Sequence, residues 1–292
     1  MGRFWGTYAA NRRLVSYLRT PGAPGLVIFG GLAIYLSWSF LRQAFIAILP
    51  PETGWGETGI GFVLNAGFFA VLVSLTAVVA RRLHGIDPRC FLGDGQRFWA
   101  DFGRVLAAVC GAYLAFILVM GDFGGAQMRP LGQWLAFLPF AFLAIGVQTL
   151  GEEFFFRGYL HHLACAHFSR KAVWMVAPSV LFAASHVFND TSSVFASFTY
   201  MLWVFAFGLA TVDLTARTGS LGAAWGFHLA YNMFAICLFA EEGGFMSAGA
   251  LYVYPPWPGE ASPDAAILMF WTLQHLTFLL VLWLVARNAL KR

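Results

Sequence analysis

The sequence predicts an all-α, polytopic transmembrane helix bundle with about eight spans and cytoplasmic N and C termini. Three observations carry this. Of 292 residues, 59% are hydrophobic and only 11% charged, against roughly 25% charged in soluble domains. Apolar runs recur at about the 20-residue length that crosses a bilayer core of about 30 Å. Most of the 18 Lys and Arg residues fall on one side of those runs. Length alone would suggest two soluble domains of about 150 residues, but the charges are too few to coat them. A disordered chain, a soluble nucleotide-binding fold and a nucleic-acid-binding domain are excluded on the same ground. Cys90, Cys110, Cys165 and Cys237 lie scattered with no CxxC pair, so neither a disulfide framework nor a zinc ribbon is expected.

The expected spans are 25–49, 59–80, 104–121, 132–166, 172–189, 193–215, 219–240 and 265–286. The first is too long for a signal-peptide core and has no A-x-A-like cleavage site. Orientation follows the basic residues. Arg3, Arg12, Arg13 and Arg19 precede the first span, and Arg81, Arg82, Arg89, Arg97 and Arg104 lie around the connection from the second to the third. Arg170, Lys171, Arg217, Arg287, Lys291 and Arg292 fall on that same side, which the positive-inside rule makes cytoplasmic. Four parts follow: a basic cytoplasmic leader at 1–24, a three-span region at 25–131, a four-span core at 132–240, and an outer loop with a last span and basic tail at 241–292. The Gly- and Pro-rich stretch 241–264 reads as irregular. Asp122 and Asp190 are expected in outer loops.

Ionisable groups within spans cost about 2.5–3.5 kcal/mol each on insertion scales and mark functional sites. The fourth span holds Glu152, Glu153 and Arg157. Glu153 and Arg157 are four apart and share a helix face, whereas Glu152 is turned by about 100°. One carboxylate is then the arginine's partner and the other is free for chemistry. A buried ion pair with a snorkelling acid is the structural alternative. The fifth span places Phe182 one turn before His186, where a ring would pack on the imidazole. The seventh places His228 one turn before Asn232, two hydrogen-bond donors facing one way. Counted from the cytoplasmic ends at 1.5 Å per residue, Glu152, His186 and His228 lie at depths of roughly 21, 21 and 14 Å. Elsewhere, His161, His162, Cys165 and His167 read as a wetted helix end rather than a metal cluster. Asp213 and Arg217 read as a surface ion pair, His84 as a loop residue, Arg42 as snorkelling outward, and Gln274 and His275 as packing.

Together, Glu152-Glu153-x-x-x-Arg157, Phe182-x-x-x-His186 and His228-x-x-x-Asn232 resemble the three motifs of the CPBP intramembrane proteases, the family of type II CAAX prenyl endopeptidases and of bacteriocin-processing or Abi-like proteins. The resemblance covers residues 148–235. It implies an intramembrane endopeptidase acting on a membrane-associated peptide or protein, of CAAX or peptide-maturation type. In that reading Glu152 activates a water with help from His186, and His228 and Asn232 hydrogen-bond the oxyanion. Glu153, Arg157 and Phe182 support them. Metal dependence stays open. There is no HExxH, and the expectation leans to no tightly held cofactor. Zinc, if present, would sit on Glu152, His186 and His228. Expected partners are membrane lipid and a membrane-anchored peptide, with no nucleic acid, and the expected location is a bacterial inner membrane. The competing readings are a non-catalytic immunity or scaffold relative that binds a peptide, and an ion- or proton-coupled transporter. No inverted repeat of the transporter kind is present.

Overall fold

A computed structural model describes residues 8–16, 24–120, 125–187, 193–244, 246–255 and 264–291. Most of the leader 1–24, the helix ends expected at 121 and 189, Asp122, Asp190 and the stretch 256–263 lie outside the described residues. The described chain is an all-α polytopic bundle. A short α1 (Ala9–Ser16) is followed by α2 (Gly25–Ile48), then α3 (Gly59–Gly67) and α4 (Phe69–His84), which are joined at Phe68. Next come α5 (Gly95–Met120) and α6 (Leu131–Glu153). The latter runs on through a π-helical segment, Phe154–His161, into α7 (His162–His167). A second π-helical segment, Ala172–Val176, leads into α8 (Ala177–Ala184). Then follow α9 (Val194–Thr218), α10 (Gly222–Cys237) and α11 (Ala265–Ala289).

Local chemistry sets several boundaries. Ser193 caps α9 by accepting from the Ala196 amide, and Asp264 caps α11 by accepting from the Ile267 amide. Gly85 and Gly219 close α4 and α9 in the left-handed region, where a Cβ would be strained.

All eight expected spans contain helix, and among the described residues six stretches have the length and apolarity to cross a membrane: Gly25–Ile48, Gly59–His84, Pro88–Val119, Leu131–His167, Val194–Thr218 and Ala265–Ala289. Their outward faces carry exposed Phe40, Leu118, Val119, Leu143 and Val194, which water would not tolerate in such number. Two expected spans are shorter. The helix in the fifth ends at Ala184. The seventh, α10, has 16 residues. Its residues from Phe227 to Tyr231 are all buried by neighbouring helices, so protein rather than lipid thickness fixes its length. A Cβ on Gly222 would fall on the Phe98 carbonyl, and one on Gly226 would lie 2.6 Å from that of Phe102. These two glycines, four apart, let α10 press onto the α5 backbone.

The outer connections are less irregular than expected. β1 (Gln127–Met128), β2 (Phe239–Glu241) and β3 (Tyr252–Tyr254) form a small sheet in the order β1-β3-β2. β1 is antiparallel to β3 and β2 is parallel to it. At the basic end, Asp213 corrects the surface-pair reading. It is buried, takes Tyr8 Oη at 2.7 Å, Arg217 Nε at 2.7 and 2.8 Å and Trp283 Nε1 at 3.1 Å, and so ties α1, α9 and α11 together.

Candidate active site

The site begins where α6 gives way to the π-helical segment. The change of helix type falls immediately after Glu152 and Glu153, a placement common at functional sites. Phe154, Phe155 and Phe156 are all buried there, and Gly158 lets the Phe91 side chain approach to 3.1 Å of where a Cβ would stand. Glu153 is fully buried, and its Oε1 lies 3.2 Å from Arg157 Nη1. Arg157 is 1% exposed, stacks its guanidinium 4.2 Å from the centre of the Phe182 ring and reaches the Gly208 carbonyl at 3.4 Å.

His228 comes in from α10 and meets both carboxylates. Its Nδ1 donates to Glu153 Oε1 at 2.7 Å, and its Nε2 lies 3.4 Å from Glu152 Oε2. Two neighbours about 100° apart around one helix thus converge on opposite nitrogens of one imidazole. Phe207 and Phe182 wall the ring at 4.8 and 6.1 Å between centres. Arg157 and His228 are thus the two groups that face this pair of carboxylates. A buried charge without such a partner costs several kcal/mol.

His186 is not on a helix as the spacing suggested. After Ala184 the chain tightens, with the His186 amide bonded to the Ala183 carbonyl at 2.9 Å. The Ser185 hydroxyl and His186 Nδ1 both donate to the Phe182 carbonyl, at 2.7 and 2.8 Å. Because that carbonyl can only accept, Nδ1 carries a proton, and in the neutral ring Nε2 is then the acceptor. Phe182 and His186 still meet, with ring centres 4.7 Å apart.

Glu152, His186, His228 and Asn232 all line one cavity of about 430 Å³, enclosed largely by aromatic rings that include Trp203, Phe207 and Tyr231. Gln148, Glu152 and His186 also line a second cavity of about 420 Å³, walled by Tyr35, Trp38, Arg42 and Asn65. The zinc expectation falls on Glu152, His186 and His228; among the described residues, no group of three His, Cys, Asp or Glu side chains gathers closely enough to hold a metal ion.

Four sequence readings change here. His161 and His162 are fully buried rather than wetted, their Nδ1 atoms bonded to the Trp174 and Gly158 carbonyls at 2.9 and 3.1 Å. His84 ends α4, with Nε2 2.7 Å from Tyr159 Oη. Arg42 turns into the second cavity instead of outward, with its guanidinium carbon 5.1 Å from the centre of the Trp55 ring. Gln148 went unnoticed, although it lies one turn before Glu152 and its buried Oε1 has no partner. His275, read as packing, lines the first cavity.

The segment that carries these residues is also the one that resembles known proteins. Residues 133–234 match the profile of a family described as type II CAAX prenyl endopeptidase Rce1-like. Over 120 residues the chain is 31% identical to the uncharacterized protein YyaK of Bacillus subtilis (strain 168), an alignment covering 40% of this chain and 38% of that protein. No solved structure matches. With its apolar crossing helices and this match, the chain is a multi-pass integral membrane protein. Its segment 133–234, which holds all three motifs, is similar to the Rce1-like type II CAAX prenyl endopeptidases, in keeping with the CPBP family.

Proposed function

We propose that the protein is an intramembrane endopeptidase that hydrolyses a peptide bond in a membrane-associated peptide, using water activated by Glu152. One observation carries this reading: Glu152, His186, His228 and Asn232 line a single cavity with room for a water and a peptide carbonyl. Bare Nε2 of His186 accepts a hydrogen bond from the water, and Glu152 takes its proton as the oxygen attacks the carbonyl carbon. The carbonyl π pair moves onto oxygen. His228 Nε2–H and the Asn232 amide donate to that oxyanion, each worth about 3–4 kcal/mol in a dry site. Glu153 holds His228 by Nδ1 and so keeps its other nitrogen directed into the cavity. When the C–N bond breaks, Glu152 returns its proton to the leaving amine.

No step runs through a metal. We place the enzyme in a bacterial inner membrane, where the basic end faces the cytoplasm. Its substrate is a lipid-anchored or inserted peptide, of CAAX or peptide-maturation type. The test is cleavage of a membrane-peptide library by the full-length protein in lipid nanodiscs, read by mass spectrometry. Cleavage is expected from the wild type and absent from Glu152→Gln and His186→Ala. Variants that cut as the wild type does would sink the reading.

A further inference from the structure

Among the described residues, Arg42 is a cation without a counter-charge. It lies in α2, one of the crossing helices, where an unpaired charged group is costly. The other arginines drawn into the bundle, Arg157 and Arg217, each sit beside a carboxylate. Among the described residues, no carboxylate lies within 4.0 Å of Arg42. What it has is a cradle. Nη2 donates to Asn65 Oδ1 at 3.4 Å, and the Trp55 ring lies beside the guanidinium. Asn65 is itself fixed, its Nδ2 donating to the Trp55 carbonyl at 2.9 Å. The Arg42 Nε is buried with no hydrogen-bond partner. A positioned guanidinium with an unused donor matches one ligand chemistry above others, the planar carboxylate.

The place of this cradle gives it a role. Arg42 lines the second cavity, and that cavity shares Gln148, Glu152 and His186 with the first. A peptide stretched past Glu152 would have one part in the aromatic cavity and the other in the cavity that holds Arg42. We propose that Arg42 receives a carboxylate of the substrate peptide and is thereby a specificity-determining residue. This rests on the peptidase reading. The carboxylate is the chain terminus or an acidic side chain near the cut.

The test is binding to the full-length Glu152→Gln protein in phosphatidylcholine nanodiscs, where cleavage is blocked. Three probes are used: N-dodecanoyl-Leu-Leu-Leu as free acid, the same peptide as its amide, and N-dodecanoyl-Leu-Leu-Glu amide. At least one acid is expected to bind about tenfold more tightly than the neutral amide, the yield of one charge-assisted hydrogen-bonded contact. Which acid does so separates terminus from side chain. Adding Arg42→Gln is expected to remove the preference, and adding Arg42→Lys to keep part of it. Thermal unfolding of each variant checks that it is folded. Equal binding of acids and amide, or a preference that survives Arg42→Gln, overturns the proposal. So does affinity that tracks added phosphatidylglycerol with no acid preference, which would assign the cradle to lipid phosphate. Wild-type cleavage with no acid preference overturns only this proposal. An Arg42-dependent preference in a protein that cleaves no peptide overturns only the peptidase reading.

Discussion

His228 and Glu153, 75 residues apart in sequence, are joined by a hydrogen bond of 2.7 Å. The same Glu153 oxygen faces Arg157 at 3.2 Å, so one carboxylate fixes an imidazole from α10 and a guanidinium from its own helix. The imidazole's other nitrogen is thereby aimed at Glu152. One buried carboxylate thus sets how the imidazole meets its neighbour.

Glu153→Gln is expected to lower stability by about 3–5 kcal/mol, because it strands the buried Arg157. Thermal unfolding in detergent checks this. The double variant Glu153→Leu/Arg157→Met is expected to recover most of the loss, since no unpaired charge remains. It is expected to stay inactive, because His228 has lost its partner. Recovery of activity along with stability would contradict the positioning role.

Asn232→Ala removes one donor from the first cavity. The expected effect is a fall in kcat of about 10²-fold with KM nearly unchanged, the pattern of an interaction made only in the transition state. A rise in KM alone would make Asn232 a substrate-binding group instead.

Gly226→Ala tests the contact of α10 with α5. Alanine is the better helix former by about 1 kcal/mol, yet its methyl would lie 2.6 Å from the Phe102 carbonyl oxygen. The expected result is net destabilisation of about 1–3 kcal/mol, together with reduced activity because His228 lies two residues on. Denaturation midpoints and turnover are the measurements.

Tyr8 gives a pH signature at the basic end. Burial first, and then its hydrogen bond to Asp213, push its phenol from 10.0 to about 12. The folded state therefore holds a proton that the unfolded chain releases earlier. This contribution to stability is complete below pH 10 and is lost as the pH rises through about 12. Difference absorbance of wild type against Tyr8→Phe is expected to show one phenolate appearing near that value.

Composition and basic-residue placement made the membrane bundle legible, because lipid imposes a strict length and polarity on each crossing helix. The three motif pairs were legible for a related reason, since ionisable groups in apolar runs stand out. Local spacing could not show the rest. Glu153 and Arg157 pair as i, i+4 spacing suggests, but a π-helical segment intervenes and changes the facing of the residues beyond them. His186 left its helix because side-chain bonds to the Phe182 carbonyl close the last turn. Asp213 looked like a surface residue because its partners Tyr8 and Trp283 come from the two ends of the chain. Arg42 gave no sign of facing inward, since its cradle is built by Asn65 and Trp55 from other segments.

The contact between α6 and α10 also bears on biogenesis. Glu153 is made 75 residues before His228, the imidazole that faces both carboxylates. A chain truncated before α10 is therefore expected to lack the closed carboxylate–imidazole contact even where its earlier helices have inserted.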